Sequence, residues 1–200
     1  MLGINGINSN GAKNTDRLLY ELSLLGWPVH DVNYPKIGTL RYLIEGRAWH
    51  RKMQRASSLP LVRAAKPTDI LIAHSYGCLL AIRAMEQAAR FHIIFMFAPA
   101  LDKDQAFPVG ANKIYVIYNP QDKALCLTRL LRWHDSGEMG RVGYRGPADA
   151  RVESVKTTDV IDEPLHHSGY FLPGNVTQWA AWCDERIPYR QKEAGLRVPA

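Results

Sequence analysis

The sequence has few cysteines and no long hydrophobic run. Its three cysteines, Cys78, Cys126 and Cys183, are scattered, and no two have the Cys-x-x-Cys spacing of a zinc or redox site. Scattered free cysteines are typical of a reducing compartment. The longest apolar candidate, residues 91–101, is shorter than the roughly 20 residues of a membrane helix. Residues 1–6 lack the features of a signal peptide. These absences predict a soluble, cytoplasmic protein.

The composition is that of a folded globular chain. Hydrophobic residues make up 46% and charged residues 22% of the 200 residues, and these values exclude a disordered or fibrous protein. At roughly 150 residues per domain, the length predicts one domain. We place it at residues 1–190, followed by a polar tail at 191–200.

Positive charge is concentrated in one segment. The net charge is +6, and residues 35–67 alone contain eight basic residues and one acidic residue. Tyr42 and Trp49 lie among the arginines and could stack on bases, so binding to nucleic acid or another anionic surface is an alternative function. A solvated helix face is the simpler interpretation, and nucleic acid is the less favoured partner. In an enzyme, this segment would attract acidic substrates or line the pocket.

Short apolar runs alternate with helical patterns along the chain. Residues 69–73 form an apolar run typical of a strand buried on both faces of a parallel sheet. The alternation predicts a three-layer α/β/α sandwich with a mainly parallel sheet of about six strands. We expect strands near 2–4, 29–33, 69–73, 93–98, 113–118 and 151–155. We expect helices near 18–25, 40–44, 78–89, 123–133 and 173–186.

One pentapeptide, Ala73-His74-Ser75-Tyr76-Gly77, separates a predicted strand from a predicted helix. A serine on a tight strand-to-helix turn exposes its hydroxyl at the carboxyl edge of the sheet, and small residues at positions 73 and 77 leave room for the crowded backbone. His74 is expected to pack or to support its neighbours. Ser75 could instead act only as a helix N-cap.

A serine hydroxyl is a weak nucleophile, so it needs a base, and the base needs an orienting acid. Asp122 lies 47 residues after Ser75, and His167 lies 45 residues after Asp122. Each interval is about one strand-helix unit, so all three loops can meet at the carboxyl edge, where ligands bind in open α/β sheets. Asp122 could also cap a helix beginning near Lys123, and the two roles can coexist.

Neighbouring residues compete for these roles. Asp102 and Asp104 follow the preceding strand and are alternative acids, and His166 is the alternative base. Adjacent side chains diverge, so only one of the two histidines is expected to face the serine. The small residues at 168–169 favour His167. The two histidines could bind a metal, but no third ligand has suitable spacing, and we expect neither metal nor cofactor.

The chain resembles the α/β-hydrolase superfamily, as a small version without the first two antiparallel strands. Residues 73–77 are similar to the nucleophile elbow, with alanine in place of the first glycine. Residues 2–7 resemble the strand and His-Gly loop of the oxyanion hole, with asparagine in place of histidine. Asp122 matches the acid after the penultimate strand, and residues 167–170 resemble the catalytic-histidine loop. The resemblance covers about residues 2–185.

The resemblance implies a serine hydrolase, in the first place a carboxylesterase, acting on ester, thioester or amide bonds of a small acyl substrate. Ser75 is expected to attack the carbonyl, His167 to transfer the proton and Asp122 to orient the imidazole. The oxyanion is expected to be held by the backbone N–H groups of Tyr76 and of either Ile7 or Asn8.

A glycine-rich loop at residues 6–15 gives a third hypothesis, a nucleotide hydrolase. A P-loop has Gly-Lys-Ser/Thr after four intervening residues. Here one extra residue separates Gly11 from Lys13 and another separates Lys13 from Thr15, so the phosphate contacts fall out of register. This function is the least favoured.

Overall fold

A computed structural model describes residues 1–6, 14–35, 47–128, 137–162 and 165–188. Its centre is one sheet of six strands in the spatial order β2-β1-β3-β4-β5-β6, and every neighbouring pair is parallel. The prediction of a mainly parallel sheet of about six strands is confirmed. The strands are β1 (Leu2–Ile4), β2 (His30–Asp31), β3 (Ile70–His74), β4 (Phe91–Phe97), β5 (Ala111–Tyr118) and β6 (Val152–Lys156).

The order of the strands reverses at β1. Gly3 is paired with Asp31 of β2 on one side and with Ile72 of β3 on the other. A reversal of this kind leaves a crevice at the carboxyl ends of the strands beside it, and ligands of open α/β sheets bind there. The carboxyl ends of β1 and β3 are therefore where a site is expected.

Helices cover both faces of the sheet, which confirms the predicted three-layer sandwich. The helices are α1 (Thr15–Leu24), α2 (Arg47–Ala64), α3 (Tyr76–Glu86), α4 (Lys123–Thr128), α5 (Met139–Val142) and α6 (Asn175–Glu185). Two short 3₁₀ helices lie at Thr157–Asp159 and Gly169–Phe171. On one face α1 packs against α6, and on the other α2 packs against α3.

Successive side chains of β3 pack into two different hydrophobic clusters, one on each face of the sheet. Ile72 lies in one cluster with Leu18 of α1 and Trp179 of α6, whereas Leu71 lies in the other with Leu61 of α2, and all five side chains are fully buried. Both faces of the strand must be apolar, which explains its continuous hydrophobic run. Burial of each leucine-sized side chain stabilises the fold by about 2 kcal/mol.

The structure contains helices that the sequence did not predict, among them α2 and α5. The glycine-rich residues 136–146 carried no predicted element, yet α5 begins there at Met139, whose side chain is fully buried. A Cβ at Gly140 would lie 2.5 Å from the carbonyl carbon of Ala98, so glycine is needed for this contact. Glycine is a poor helix former, and tertiary packing offsets that preference here.

Several predicted features lie outside the described residues. They are the helix near 40–44, the end of the helix predicted over 123–133, and the polar tail at 191–200. In the described parts of the chain, no helix combines the length and the hydropathy needed to cross a membrane.

Candidate active site

Ser75 lies on the turn between β3 and α3 in a left-handed backbone conformation. Its φ is 52° and its ψ is −118°, a combination that is uncommon for a residue with a side chain. The turn is held in place by the end of β4 and the residues after it, because the N–H of Ser75 donates to the carbonyl of Phe97 at 2.9 Å and its carbonyl accepts from Ala100 at 3.3 Å. The serine hydroxyl therefore has a fixed position at the carboxyl edge of the sheet.

Two glycines allow the chain to pass close to this turn. A Cβ at Gly77 would lie 2.5 Å from the carbonyl oxygen of Ile4, so the first turn of α3 packs directly on the end of β1. A Cβ at Gly6 would lie 3.1 Å from the Cβ of Ser75. The loop after β1 thus begins directly beside the serine, at the reversal of strand order.

The structure places His167 between Ser75 and Asp122. Its Nε2 is 2.9 Å from Oγ of Ser75, and its Nδ1 is 2.6 Å from Oδ2 of Asp122. A carboxylate only accepts hydrogen bonds, so Nδ1 carries the hydrogen, and in the neutral imidazole Nε2 is left to accept the serine hydrogen. This arrangement can take a proton from Ser75 and place the resulting positive charge beside a carboxylate.

Asp122 is fully buried and uses both carboxylate oxygens. Oδ2 accepts from His167, while Oδ1 accepts from the backbone N–H groups of Ala124 at 3.1 Å and Leu125 at 3.3 Å, at the start of α4. The helix-capping role and the contact with the histidine therefore coexist. Partners on both oxygens satisfy a carboxylate that would be costly to bury alone.

The rival residues lie elsewhere. The exposed Asp102 is next to Gly137, where an added Cβ would be 2.5 Å from its Oδ1. His166 is exposed and lines a cavity of about 330 Å³ that Asp122 also borders. The carboxylate of Asp122 nevertheless binds His167 and the start of α4. The hydroxyl of Ser75 points to His167 and not back towards the first turn of α3, so it does not serve as a helix cap.

The proposed oxyanion donors are only partly described. Tyr76 is the first residue of α3, and the first N–H groups of a helix have no partner within it. Ile7 and Asn8 lie outside the described residues. The asparagine that the resemblance aligned with a histidine, Asn5, joins β1 to α1: its Nδ2 donates to Asp16 at 2.9 Å and its Oδ1 accepts from Thr15 at 3.0 Å.

The site also contains supporting groups, of which the sequence suggested His74 but not the others. The loop around His167 is held by side-chain donors from other elements, and each donates to a backbone carbonyl. A single asparagine or arginine carries no sequence signal for such a contact. The donors are His74, Asn119, Asn175 and Arg17. Among the described residues, no three His, Cys, Asp or Glu side chains are grouped closely enough to hold a metal ion.

Comparison with known proteins finds relatives by structure and none by sequence. No family model matches the chain, and the search of curated proteins found no match. A presumptive hydrolase of the α/β superfamily from Xanthomonas campestris pv. campestris matches 92% of this chain and 97% of its own, with a TM-score of 0.51 and 17% identity. A presumptive hydrolase from Agrobacterium vitis matches 94% of this chain and 87% of its own, with a TM-score of 0.58 and 12% identity. The chain has the α/β-hydrolase fold.

Another structure with this α/β-hydrolase fold is a Xanthomonas campestris protein described as an α/β serine hydrolase without a lid. It matches 100% of this chain and 83% of its own, with a TM-score of 0.51 and 16% identity. At such identities the shared property is the fold, and one fold supports many reactions. The activity of this protein must therefore be inferred from the chemistry of its own site.

Proposed function

We propose that the protein is a serine hydrolase that cleaves acyl esters, with Ser75 as nucleophile, His167 as general base and acid, and Asp122 as the orienting acid. The observation that supports this proposal is the continuous chain of hydrogen bonds, 2.9 Å and 2.6 Å long, that begins at a serine with positive φ. Each contact lies within the reach required for proton transfer.

The reaction has two halves. Oγ of Ser75 attacks the acyl carbon while Nε2 of His167 takes the hydroxyl proton. The imidazolium is stabilised by Asp122, and it then gives the proton to the leaving alcohol as the ester bond breaks. Water enters, His167 removes its proton, and the hydroxide attacks the acyl-enzyme. The acid product leaves, and the proton returns to Ser75.

The negative charge on the carbonyl oxygen needs donors that are already in place. The N–H of Tyr76 is one donor, because it follows the nucleophile directly and begins α3. The second is expected from Ile7 or Asn8, which follow the close approach of Gly6 to Ser75. Removal of one such donor costs about 3 kcal/mol of transition-state stabilisation in comparable sites.

A small ester with a negative charge is the substrate class that the surface favours. α2 contains no acidic residue, and Lys52, Arg55 and Arg63 on it are exposed. Their field would raise the local concentration of an anionic ester. We expect kcat/KM to fall with ionic strength for a carboxylated ester and to stay nearly constant for its neutral analogue.

The same cations support a second candidate, a binding protein for nucleic acid or another polyanion. The half-buried Trp49 packs against the core and meets His50 edge to face at 5.1 Å, which leaves it poorly placed to stack on a base. Such a protein would not need an activated serine. Reactivity of Ser75 therefore separates the two candidates.

Covalent labelling with a fluorophosphonate probe tests the proposal. The protein should be labelled at Ser75, and Ser75→Ala should lose both labelling and hydrolysis of a p-nitrophenyl ester without unfolding. Ser168→Ala, which removes an exposed hydroxyl next to His167, is the matched control and should keep both. Unchanged turnover by Ser75→Ala would exclude Ser75 as the nucleophile.

A further inference from the structure

His74 is a buried histidine that the proposed reaction does not use. Its side chain is 2% exposed, although it directly precedes Ser75 at the carboxyl edge of the sheet. Its ring lies 5.1 Å from that of His167 and packs edge to face on Phe171 at 5.0 Å. The ring therefore occupies the space between the turn of the nucleophile and the loop of the base.

One hydrogen bond defines the state of this ring. Nε2 of His74 lies 3.1 Å from the carbonyl oxygen of His167. A carbonyl oxygen only accepts, so Nε2 must carry the hydrogen and donate it. Nδ1 is buried and has no hydrogen-bond partner among the residues that the structure describes. His74 is thus a neutral, single donor aimed at the backbone of the base.

The loop that carries His167 relies on donors of this kind. Alternate carbonyls along residues 165–171 accept hydrogen bonds from side chains that belong to four separate parts of the chain. Asn119 donates to Leu165, His74 to His167, Asn175 to Gly169 at 2.9 Å and Arg17 to Phe171 at 3.2 Å. Of these four donors, His74 is the one that binds the carbonyl of His167 itself. His74 is also the residue next to Ser75.

We propose that His74 is a positioning residue for His167. Its Nε2–H fixes the backbone of the base relative to the turn that carries Ser75, and so keeps Nε2 of His167 at 2.9 Å from Oγ. This inference rests on the proposed function of Ser75 and His167. Misplacement by about 1 Å at a reacting group can lower the rate on the order of 100-fold.

The donor must be uncharged. Burial, followed by the nearby His167, lowers the pKa of His74 to about 3. A charge on this ring would oppose the imidazolium that forms on His167 during the reaction, 5.1 Å away. A neutral side chain with an N–H group at position 74 should therefore preserve the positioning of His167, and a side chain without such a group should not.

A matched pair of variants isolates the hydrogen bond. Glutamine and methionine have similar length and volume, but only glutamine carries N–H donors. We expect His74→Met to lower kcat about 10- to 100-fold with KM changed less than twofold, and His74→Gln to recover most of the loss. His92→Gln, which changes a histidine at the opposite edge of the sheet, is the control and should keep full activity.

Nuclear magnetic resonance provides a readout that does not depend on turnover. The Nδ1–H of His167, hydrogen-bonded to Asp122, should give a low-field proton signal in the wild type and in His74→Gln. In His74→Met this signal should be broadened or lost. Wild-type His74 should also be the neutral Nε2–H tautomer near pH 7, which tests the contact even where His74→Met does not fold.

Three results would overturn the proposal. One is a folded His74→Met that keeps both its kcat and the low-field signal, because His74 would then only fill space. The second is loss of activity in both variants without any change in the signal. The third is an Nδ1–H tautomer of His74 in the wild type. A wild type that hydrolyses no ester, but shows the expected signals, contradicts the proposed function and not the positioning role.

Discussion

Nδ1 of His167 lies 2.6 Å from Oδ2 of Asp122, across 45 residues of chain. Because the other oxygen of Asp122 is engaged by the N–H groups that begin α4, the carboxylate cannot rotate freely. The short contact therefore defines both the tautomer of the imidazole and the direction in which its Nε2 points.

We predict that Asp122→Asn lowers kcat strongly, by about 1,000- to 10,000-fold. The amide NH₂ would donate to Nδ1, which forces the hydrogen onto Nε2, and that nitrogen could no longer accept the proton of Ser75. The amide oxygen can still accept from the start of α4, so the thermal unfolding temperature should change little. Steady-state kinetics and calorimetry test this, with Asp102→Asn as control. A greater loss in Asp102→Asn would assign the acid to the loop after β4.

We predict opposite outcomes for the two adjacent histidines. His167→Ala should remove nearly all ester hydrolysis, because it deletes the partner of both Ser75 and Asp122. His166→Ala should retain a sizeable fraction, since that side chain is exposed and the contacts to Ser75 and Asp122 are made by His167. The measurement is kcat/KM for both variants under the same conditions. A crystal structure with His166 between Ser75 and Asp122 would reverse the assignment.

The buried His74 should make stability depend on pH. Its pKa falls from 6.5 to about 3 on folding, so between these values the unfolded chain binds a proton that the folded chain does not. Stability should therefore be full above pH 6.5 and decrease as the pH falls towards 3. The loss is about 2 kcal/mol at pH 5.

Chemical denaturation at pH 7 and pH 5 measures this dependence. His74→Gln lacks the titrating group, so its free energy of unfolding should fall less than that of the wild type over the same interval. Equal slopes in the two proteins would show that the buried ring does not resist protonation. The comparison is internal, because all other titrating groups are common to both proteins.

The end of α3 offers a site for stabilisation. Ala88 has a φ of 72° and is exposed, and the bonds from Ala88 to Met85 and from Ala89 to Ala84 are those of a Schellman motif. Glycine adopts this conformation without the strain of a Cβ. Ala88→Gly should raise the free energy of unfolding by about 1 kcal/mol.

The end of α1 supplies the matched control. Gly26 ends that helix with a φ of 89° and the same bonding pattern, from Gly26 to Ser23 and from Trp27 to Leu22. Gly26→Ala should lower the free energy of unfolding by about 1 kcal/mol. Urea titrations of both variants test the pair, and a destabilised Ala88→Gly would contradict the explanation by backbone strain.

Much of the fold follows from local patterns in the sequence. The runs around Ile70–His74 and Phe91–Phe97 are apolar because both faces of these strands are covered. The short helix α5 could not be predicted in this way. Its glycine at position 140 disfavours a helix and is explained by tertiary contacts, the backbone of Ala98 and the side chain of Leu125.

The sequence by itself determined the alternation of strands and helices, the turn at Ser75 and the chain order of the serine, acid and histidine loops. These properties depend on residue types and on spacing along the chain. Only the tertiary structure decided that His167, and not its neighbour, faces Ser75. The direction of that side chain depends on the path of an irregular loop, and this path is held by donors from three distant parts of the chain and by one from the helix that follows the loop. Such contacts are set by packing, which local sequence does not encode.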